Sequence, residues 1–257
     1  MEKALLCVSV GTTAQAADGI TAVETALRQA TPDCLFARAY TNGGIRRVLA
    51  ARGQPVDSLP EALVRLKQQG IRQVLVQPTH FLYGTEYETL RTQVQAALPE
   101  FEVLRLGRPL LAGTEDVQAL AKVIMQAYPP QSGEALVLVG HGTDQFAGVV
   151  YPALQAAFWL AGRQDVLVGT VEGWPAQPEV LAQLQKSDVQ AVHLVPLMLA
   201  AGRHACRDIA GDAPASWQSV LQAAGYSVHT TLHGLGELPA VQEMYRQRLR
   251  EMEQREK

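Results

Sequence analysis

Eight short runs of β-branched and aliphatic residues recur along this chain, and helical periodicity fills most of the gaps between them. Such runs, apolar on both faces, are typical of parallel strands covered by helices on each side. The alternation therefore predicts an α/β fold with doubly wound parallel sheets. The predicted strands span residues 4–10, 34–40, 73–79, 102–107, 135–140, 165–171, 191–197 and 227–232.

Parts of the pattern occur twice. The stretch "VSVGTT" at 8–13 matches "VGHGTD" at 139–144, and the stretch that begins at 71 matches the one that begins at 189. The second match keeps the order of strand, proline, glycine and polar residue, pairing Pro78 with Pro196, Gly84 with Gly202, and Glu86 with His204. Residues 129–134 are rich in turn formers and form the predicted linker. We therefore expect an N-terminal α/β half at 1–130 and a C-terminal half at 131–257.

Charge and hydropathy exclude several classes of function. The formal net charge of −3 and the lack of a Lys/Arg-rich run argue against a nucleic-acid partner. No apolar run approaches the roughly 20 residues of a membrane span, and the N-terminus has the pattern of a buried strand instead of a signal peptide. The three cysteines are widely spaced, which argues against a disulfide framework. We expect a cytoplasmic protein without a membrane partner, and a homo-oligomer is compatible with this composition.

Three polar side chains follow strands of the C-terminal half, where ligands of open parallel sheets bind. His141 lies between two glycines, His204 follows a small-residue turn, and Glu172 ends a largely apolar strand. Two imidazoles and a carboxylate are a suitable ligand set for Co²⁺, Fe²⁺, Ni²⁺ or Zn²⁺. Taken singly, His141 also fits a turn residue and His204 a surface helix residue. Together they predict a metal site that includes all three.

The N-terminal half supplies weaker candidates. Glu86 and Glu88 begin a predicted helix, where acidic residues ordinarily complement the helix dipole, but Glu86 aligns with His204 in the repeat. We therefore assign Glu86 to the binding cleft. The loop containing Gly11 and Thr12 lacks nucleotide-binding patterns, yet its N–H groups and hydroxyl suit a substrate carboxylate.

Six ordered motifs extend over nearly the whole chain: "MEKALLCVSVGTT", "GTEYETL", "VLVGHGT", "VGTVEGWP", "HLVPLMLAAGRHACRDIAGD" with Trp217, and "LHGLGELPAV". Together they resemble the class II chelatases of the CbiK type, which insert cobalt into sirohydrochlorin in anaerobic cobalamin biosynthesis. The resemblance implies two α/β halves related by pseudo-two-fold symmetry, with the tetrapyrrole held in the cleft between them.

Site residues carry over from the family position by position. The resemblance makes His141, His204 and Glu172 the metal ligands and places Glu86 on the opposite wall of the cleft. His141, His204 and Glu86 are then the catalytic candidates. Four arginines become candidate partners of the eight substrate carboxylates, although each also fits a solvated surface charge: Arg46, Arg47, Arg203 and Arg207.

The implied reaction needs sirohydrochlorin and a divalent metal as substrates, and no further cofactor or ATP. Cobalt is the expected metal, with Fe²⁺ and Ni²⁺ as alternatives. Two other functions stay open: a ferrochelatase that inserts Fe²⁺ into sirohydrochlorin for sirohaem or acts on protoporphyrin, and a non-enzymatic carrier of metal or tetrapyrrole. A carrier should have a closed ligand set, whereas a chelatase needs exchangeable positions.

Overall fold

The computed structural model describes residues 2–13, 18–202 and 205–254. All eight predicted strands are present, in two four-stranded parallel sheets. The chain divides into two compact units, one of residues 1–15, 20–112 and 242–257 and one of residues 16–19 and 113–241. No helix within the described part of the chain has the length and apolar character needed to span a bilayer.

The first unit contains the sheet of order β2-β1-β3-β4. Its strands are β1 (Lys3–Ser9), β2 (Leu35–Tyr40), β3 (Gln73–Pro78) and β4 (Val103–Leu106). The helices between them are α1 (Asp18–Ala30), α2 (Gly43–Ala51), α3 (Leu59–Gln68) and α4 (Thr85–Ala97), with a 3-10 turn at Leu98–Glu100. Every residue of β1 from Ala4 to Ser9 is buried, so both faces of this central strand are covered.

The second unit repeats this strand order as β6-β5-β7-β8. Its strands are β5 (Glu134–Gly140), β6 (Val166–Thr170), β7 (Ala191–Pro196) and β8 (Ser227–Thr230). Its helices are α5 (Thr114–Ala127), α6 (Val150–Leu160), α7 (Gln177–Leu184) and α8 (Trp217–Ala223). Short turns of 3-10 helix lie at Phe146–Val149 and Leu235–Glu237, and a π-helical turn lies at Ala205–Ile209. The shared strand order agrees with the repeat seen in the sequence.

The last helix, α9 (Pro239–Gln254), begins in the second unit, and its residues from 242 onward belong to the first. There Tyr245 is fully buried and donates a hydrogen bond of 2.8 Å to the carbonyl of Thr79. Helix α5 packs against α6 and so groups with the second unit. Contacts thus group α5 with the second unit and most of α9 with the first, whereas the order along the chain would assign each helix to the other unit. The division into repeated halves at 130 and 131 stays a prediction.

Candidate functional site

His141 follows the last residue of β5 and owes its position to two glycines. A Cβ atom on Gly140 would lie 2.2 Å from the ring of Tyr151, and one on Gly142 would lie 1.5 Å from the carbonyl oxygen of Glu172. Gly142 also has a φ of +87°, in the region that favours glycine. Its N–H donates to the Tyr151 hydroxyl at 3.1 Å. These contacts leave the imidazole half exposed at the carboxyl end of the sheet.

Glu172 comes shortly after β6 and is tied to His141 through the backbone. Its N–H donates to the carbonyl of His141 at 2.7 Å, and the N–H of Val171 donates to the carbonyl of Gly140 at 2.9 Å. The two side chains also approach each other, with 4.0 Å between Nδ1 of His141 and Oε2 of Glu172. That distance is too long for a hydrogen bond, whereas ligand atoms on one cation lie about 3–4 Å apart. The pair is therefore suited to share a metal ion.

The loop after Glu172 is fixed against its own strand. Both the N–H and the hydroxyl of Thr170 donate to the carbonyl of Pro175, at 2.7 and 2.9 Å. The peptide bond between Trp174 and Pro175 is cis, and the Trp174 side chain is exposed. The motif "VEGWP" thus forms a tight loop that presents Glu172 and an aromatic ring together to solvent.

The third predicted ligand, His204, and the substrate candidate Arg203 lie outside the described residues. The preceding segment is described up to residue 202. There the N–H of Leu197 donates to the carbonyl of Val139 at 2.7 Å. Because Val139 is two residues before His141, the chain leaves β7 beside the strand that carries His141.

A cavity of about 300 Å³ lies beside the Glu172 loop in the second unit. Its lining includes Thr170, Val171, Gln177, Arg207, Asp208 and Trp217. Trp217 is buried, and a Cβ atom on Gly169 would lie 2.2 Å from its ring, so this glycine makes room for the indole. Arg207 is paired with Asp208 at 2.6 Å. Sequence reasoning named Arg207 and Trp217 but did not identify the cavity.

In the first unit, Glu86 is exposed in the first turn of α4, whose N-cap is Gly84. Its charge acts on His80, a buried histidine just after β3 whose two ring nitrogens lack hydrogen-bond partners among the described residues. Burial lowers the pKa of His80 to about 4, and the nearby Glu86 only partly opposes this shift. His80 is therefore neutral at pH 7. No local sequence pattern indicated that this ring would be buried without partners.

Gly11 occupies the position that matches Gly142 in the repeat and shares its left-handed backbone, with a φ of +101°. A Cβ atom there would lie 2.7 Å from the ring of Tyr40. Val10, which matches His141, is partly exposed. The first unit therefore keeps the loop but lacks the imidazole. Thr12 is half-buried, and residues 14–17, which lead into α1, lie outside the described residues.

The chain also matches a known protein family. The sequence profile of the cobalt chelatase (CbiK) family matches residues 3–254, nearly the whole chain. The chain belongs to the cobalt chelatase (CbiK) family. The sequence motifs had predicted this membership, and the match confirms it.

Two sirohydrochlorin cobaltochelatases are similar to the chain. A sirohydrochlorin cobaltochelatase of Salmonella typhimurium is 38% identical over 249 residues, which cover 95% of this chain and 94% of the Salmonella protein. The sirohydrochlorin cobaltochelatase CbiKC of Nitratidesulfovibrio vulgaris is 37% identical over 205 residues, covering 77% of this chain and 72% of that protein. Both relatives are thus matched over most of their length.

The solved structure of SirB from Bacillus subtilis with Fe³⁺ has a similar fold. It superposes with a TM-score of 0.68 and 16% sequence identity, over 98% of this chain and 96% of SirB. At this identity the similarity supports the chelatase-like α/β fold and no finer conclusion. It agrees with the fold class predicted for this CbiK-family chain.

Proposed function

We propose that this chain is a sirohydrochlorin cobaltochelatase, which inserts Co²⁺ into sirohydrochlorin without ATP in anaerobic cobalamin biosynthesis. Membership of the CbiK family and the similarity to the Salmonella enzyme support the activity. The observation that carries the proposal is the approach of Nδ1 of His141 to Oε2 of Glu172, at 4.0 Å. An imidazole and a carboxylate at that spacing can hold the metal before insertion.

In the proposed mechanism, His141, Glu172 and His204 bind Co²⁺ and leave coordination positions for water. Both described side chains are half or more exposed, so a macrocycle can approach the ion from solvent. Pyrrole nitrogens then replace the water and the protein ligands in sequence. An open ligand set of this kind favours an enzyme over a carrier, which would need to retain its metal.

Insertion of Co²⁺ releases two protons from the macrocycle, so the site needs a proton acceptor. We assign this role to Glu86, the counterpart of His204 in the repeat, with His141 and His204 as further acceptors. We assign Gly11, Thr12 and Arg203 to the substrate carboxylates, since N–H, hydroxyl and guanidinium groups all donate to such oxygens. The proposal includes a cytoplasmic location and is compatible with a homo-oligomer.

Anaerobic assays with three metals test the proposal. Purified protein is incubated with metal-free sirohydrochlorin and Co²⁺, Fe²⁺ or Ni²⁺, and the absorbance change is compared with the uncatalysed reaction. Protoporphyrin replaces sirohydrochlorin in a parallel set. We expect the highest kcat/KM with Co²⁺ and sirohydrochlorin. A higher value with Fe²⁺ would identify a ferrochelatase, and stoichiometric binding without turnover would identify a carrier.

A further inference from the structure

Three side chains with metal-binding groups meet at the amino end of the second sheet. Glu134 is the first residue of β5, His193 lies in β7, and His229 lies in the edge strand β8. His193 is paired with Leu136 of β5 on one side and with His229 of β8 on the other. Because Glu134 is two residues before Leu136, all three side chains lie on one face of the sheet. The register thus brings together residues that are far apart in sequence.

This cluster, defined as Glu134, His193 and His229, is separate from the candidate site at His141. His141 is seven positions after Glu134 along β5 and its end. At about 3.3 Å per residue in a strand, the two places are about 23 Å apart, at opposite ends of one strand. The proposed chelatase reaction uses none of the three residues.

The distances within the cluster fit a shared cation better than direct hydrogen bonds. Nδ1 of His193 is 3.9 Å from Oε1 of Glu134, and Nδ1 of His229 is 3.6 Å from Oε2 of the same carboxylate. One ligand atom from each residue lies within 4.8 Å of the others. Hydrogen bonds would need shorter distances. Ligand atoms at about 2.0–2.2 Å from one divalent ion lie roughly 3–4.4 Å apart, a range that includes both of these nitrogen–oxygen distances.

A neighbouring hydroxyl orients His193. Its Nε2 lies 2.8 Å from Oγ1 of Thr231, and its ring stacks on that of His229 with 4.2 Å between the ring centres. When Nε2–H donates to Thr231, Nδ1 presents its lone pair to the carboxylate of Glu134. In that tautomer the nitrogen and the carboxylate are both acceptors, and a cation between them would remove their repulsion. An imidazole held through its other nitrogen in this way is typical of metal-binding histidines.

Exposure differs across the cluster in a way that suits reversible binding. The side chains of Glu134 and His193 are each 17% exposed, whereas that of His229 is 56% exposed. A metal ion can enter past His229 and keep water in its remaining positions.

We propose that Glu134, His193 and His229 form a second divalent-metal site, distinct from the site of insertion. Two imidazole nitrogens and a carboxylate favour borderline cations such as Zn²⁺, Co²⁺ and Ni²⁺ over Mg²⁺ or Ca²⁺. Binding there links the edge strand β8 to β5 through β7. A metal ion bound there should therefore stabilise the folded chain.

Zn²⁺ titration of the full chain tests this site, with a chromophoric chelator as competitor. The parent protein carries His141→Ala and Glu172→Gln, which remove two ligands of the proposed insertion site. We expect one Zn²⁺ to remain bound. Adding His229→Gln should weaken this binding at least tenfold, because one of three protein ligands is lost. His233→Gln is the matched control, since His233 is exposed and pairs with Glu237.

A second substitution guards against misfolding. Glu134→Gln keeps the shape of the side chain and removes its charge, and circular dichroism checks that each variant is folded. Zn²⁺ should raise the midpoint of thermal unfolding of the parent and of His233→Gln, but not of His229→Gln or Glu134→Gln. Zn²⁺ binding that is absent from the parent, or unchanged by both cluster substitutions, would overturn the proposal. If the wild-type chain showed no chelatase activity, the proposed function would be refuted but the second metal site would not, because the two sites share no residue.

Discussion

His141 and Glu172 are joined twice, by a backbone hydrogen bond of 2.7 Å and by side chains whose nearest polar atoms are 4.0 Å apart. The backbone bond fixes where the two loops meet. The side chains then share one small volume at the carboxyl ends of β5 and β6. A metal ligand pair built in this way depends on the loops as much as on the two side chains.

Replacing Glu172 by Gln should weaken Co²⁺ binding more than sirohydrochlorin binding. The substitution removes negative charge from the cation site while preserving the size of the side chain. Separate titrations with Co²⁺ and with metal-free sirohydrochlorin measure the two affinities. Glu115→Gln, at an exposed position in α5, serves as the matched control. Equal weakening of both affinities would place Glu172 on the macrocycle instead of the metal.

Gly142→Ala should separate the two loops. The added methyl group would overlap the carbonyl of Glu172, and the positive φ adds strain. Gly162 has a similar φ of +83°, and a methyl group added there would meet no atom within 4 Å, so Gly162→Ala reports the strain alone, about 1 kcal/mol. Urea unfolding should show a larger loss for Gly142→Ala, accompanied by weaker Co²⁺ binding. Equal losses in the two variants would mean that the loop contact contributes nothing to stability.

The buried His80 should make stability depend on pH. Its pKa of about 4 in the folded chain is below the ordinary value near 6.5, so protons bind the unfolded chain more tightly. The contribution of neutral His80 to the free energy of unfolding is complete above pH 6.5 and is lost as the pH falls towards 4. The loss amounts to about 2 kcal/mol between pH 7 and pH 5. Urea unfolding of wild type and His80→Gln at both pH values measures it; identical pH dependence in the two proteins would exclude His80 as the cause.

Glu86→Gln should keep Co²⁺ affinity within about tenfold, or roughly 1.4 kcal/mol. It should lose much of its turnover, and its pH profile should change, because a general base must be ionised to act. Glu88→Gln, on the same helix turn, is the control; Glu88 pairs with Arg91 at 2.6 Å. Wild-type turnover with an unchanged pH profile would make Glu86 an ordinary first-turn residue.

Strands were the most predictable part of the fold because most of them, such as β1 and β5, are nearly continuous apolar runs. The run at 135–140 corresponds to Glu134–Gly140, and the run at 227–232 to Ser227–Thr230. The glycines beside His141 and the motif that contains Glu172 also indicated where polar side chains would follow strands. Those signals are local, and each can be recognised within a few residues.

Features that depend on tertiary packing could not be predicted in the same way. The approach of His193 and His229 to Glu134 depends on the strand order and register, which local sequence patterns do not give. His80 is buried where its carbonyl accepts a hydrogen bond from the N–H of Leu110, which is distant in sequence. The grouping of α9 with the first unit likewise follows from contacts that chain order does not reveal.

The most direct test of the account is the initial rate of Co²⁺ insertion into sirohydrochlorin by wild type, His141→Ala, His204→Ala and the double variant. His204 lies outside the described residues, so its assignment as a ligand rests on the sequence alone. We expect each single variant to lose most of its activity while unfolding at nearly the wild-type temperature, and the double variant to be little slower than either, since ligands of one ion act as a unit. Retention of most of the turnover by His204→Ala would contradict the metal-ligand assignment.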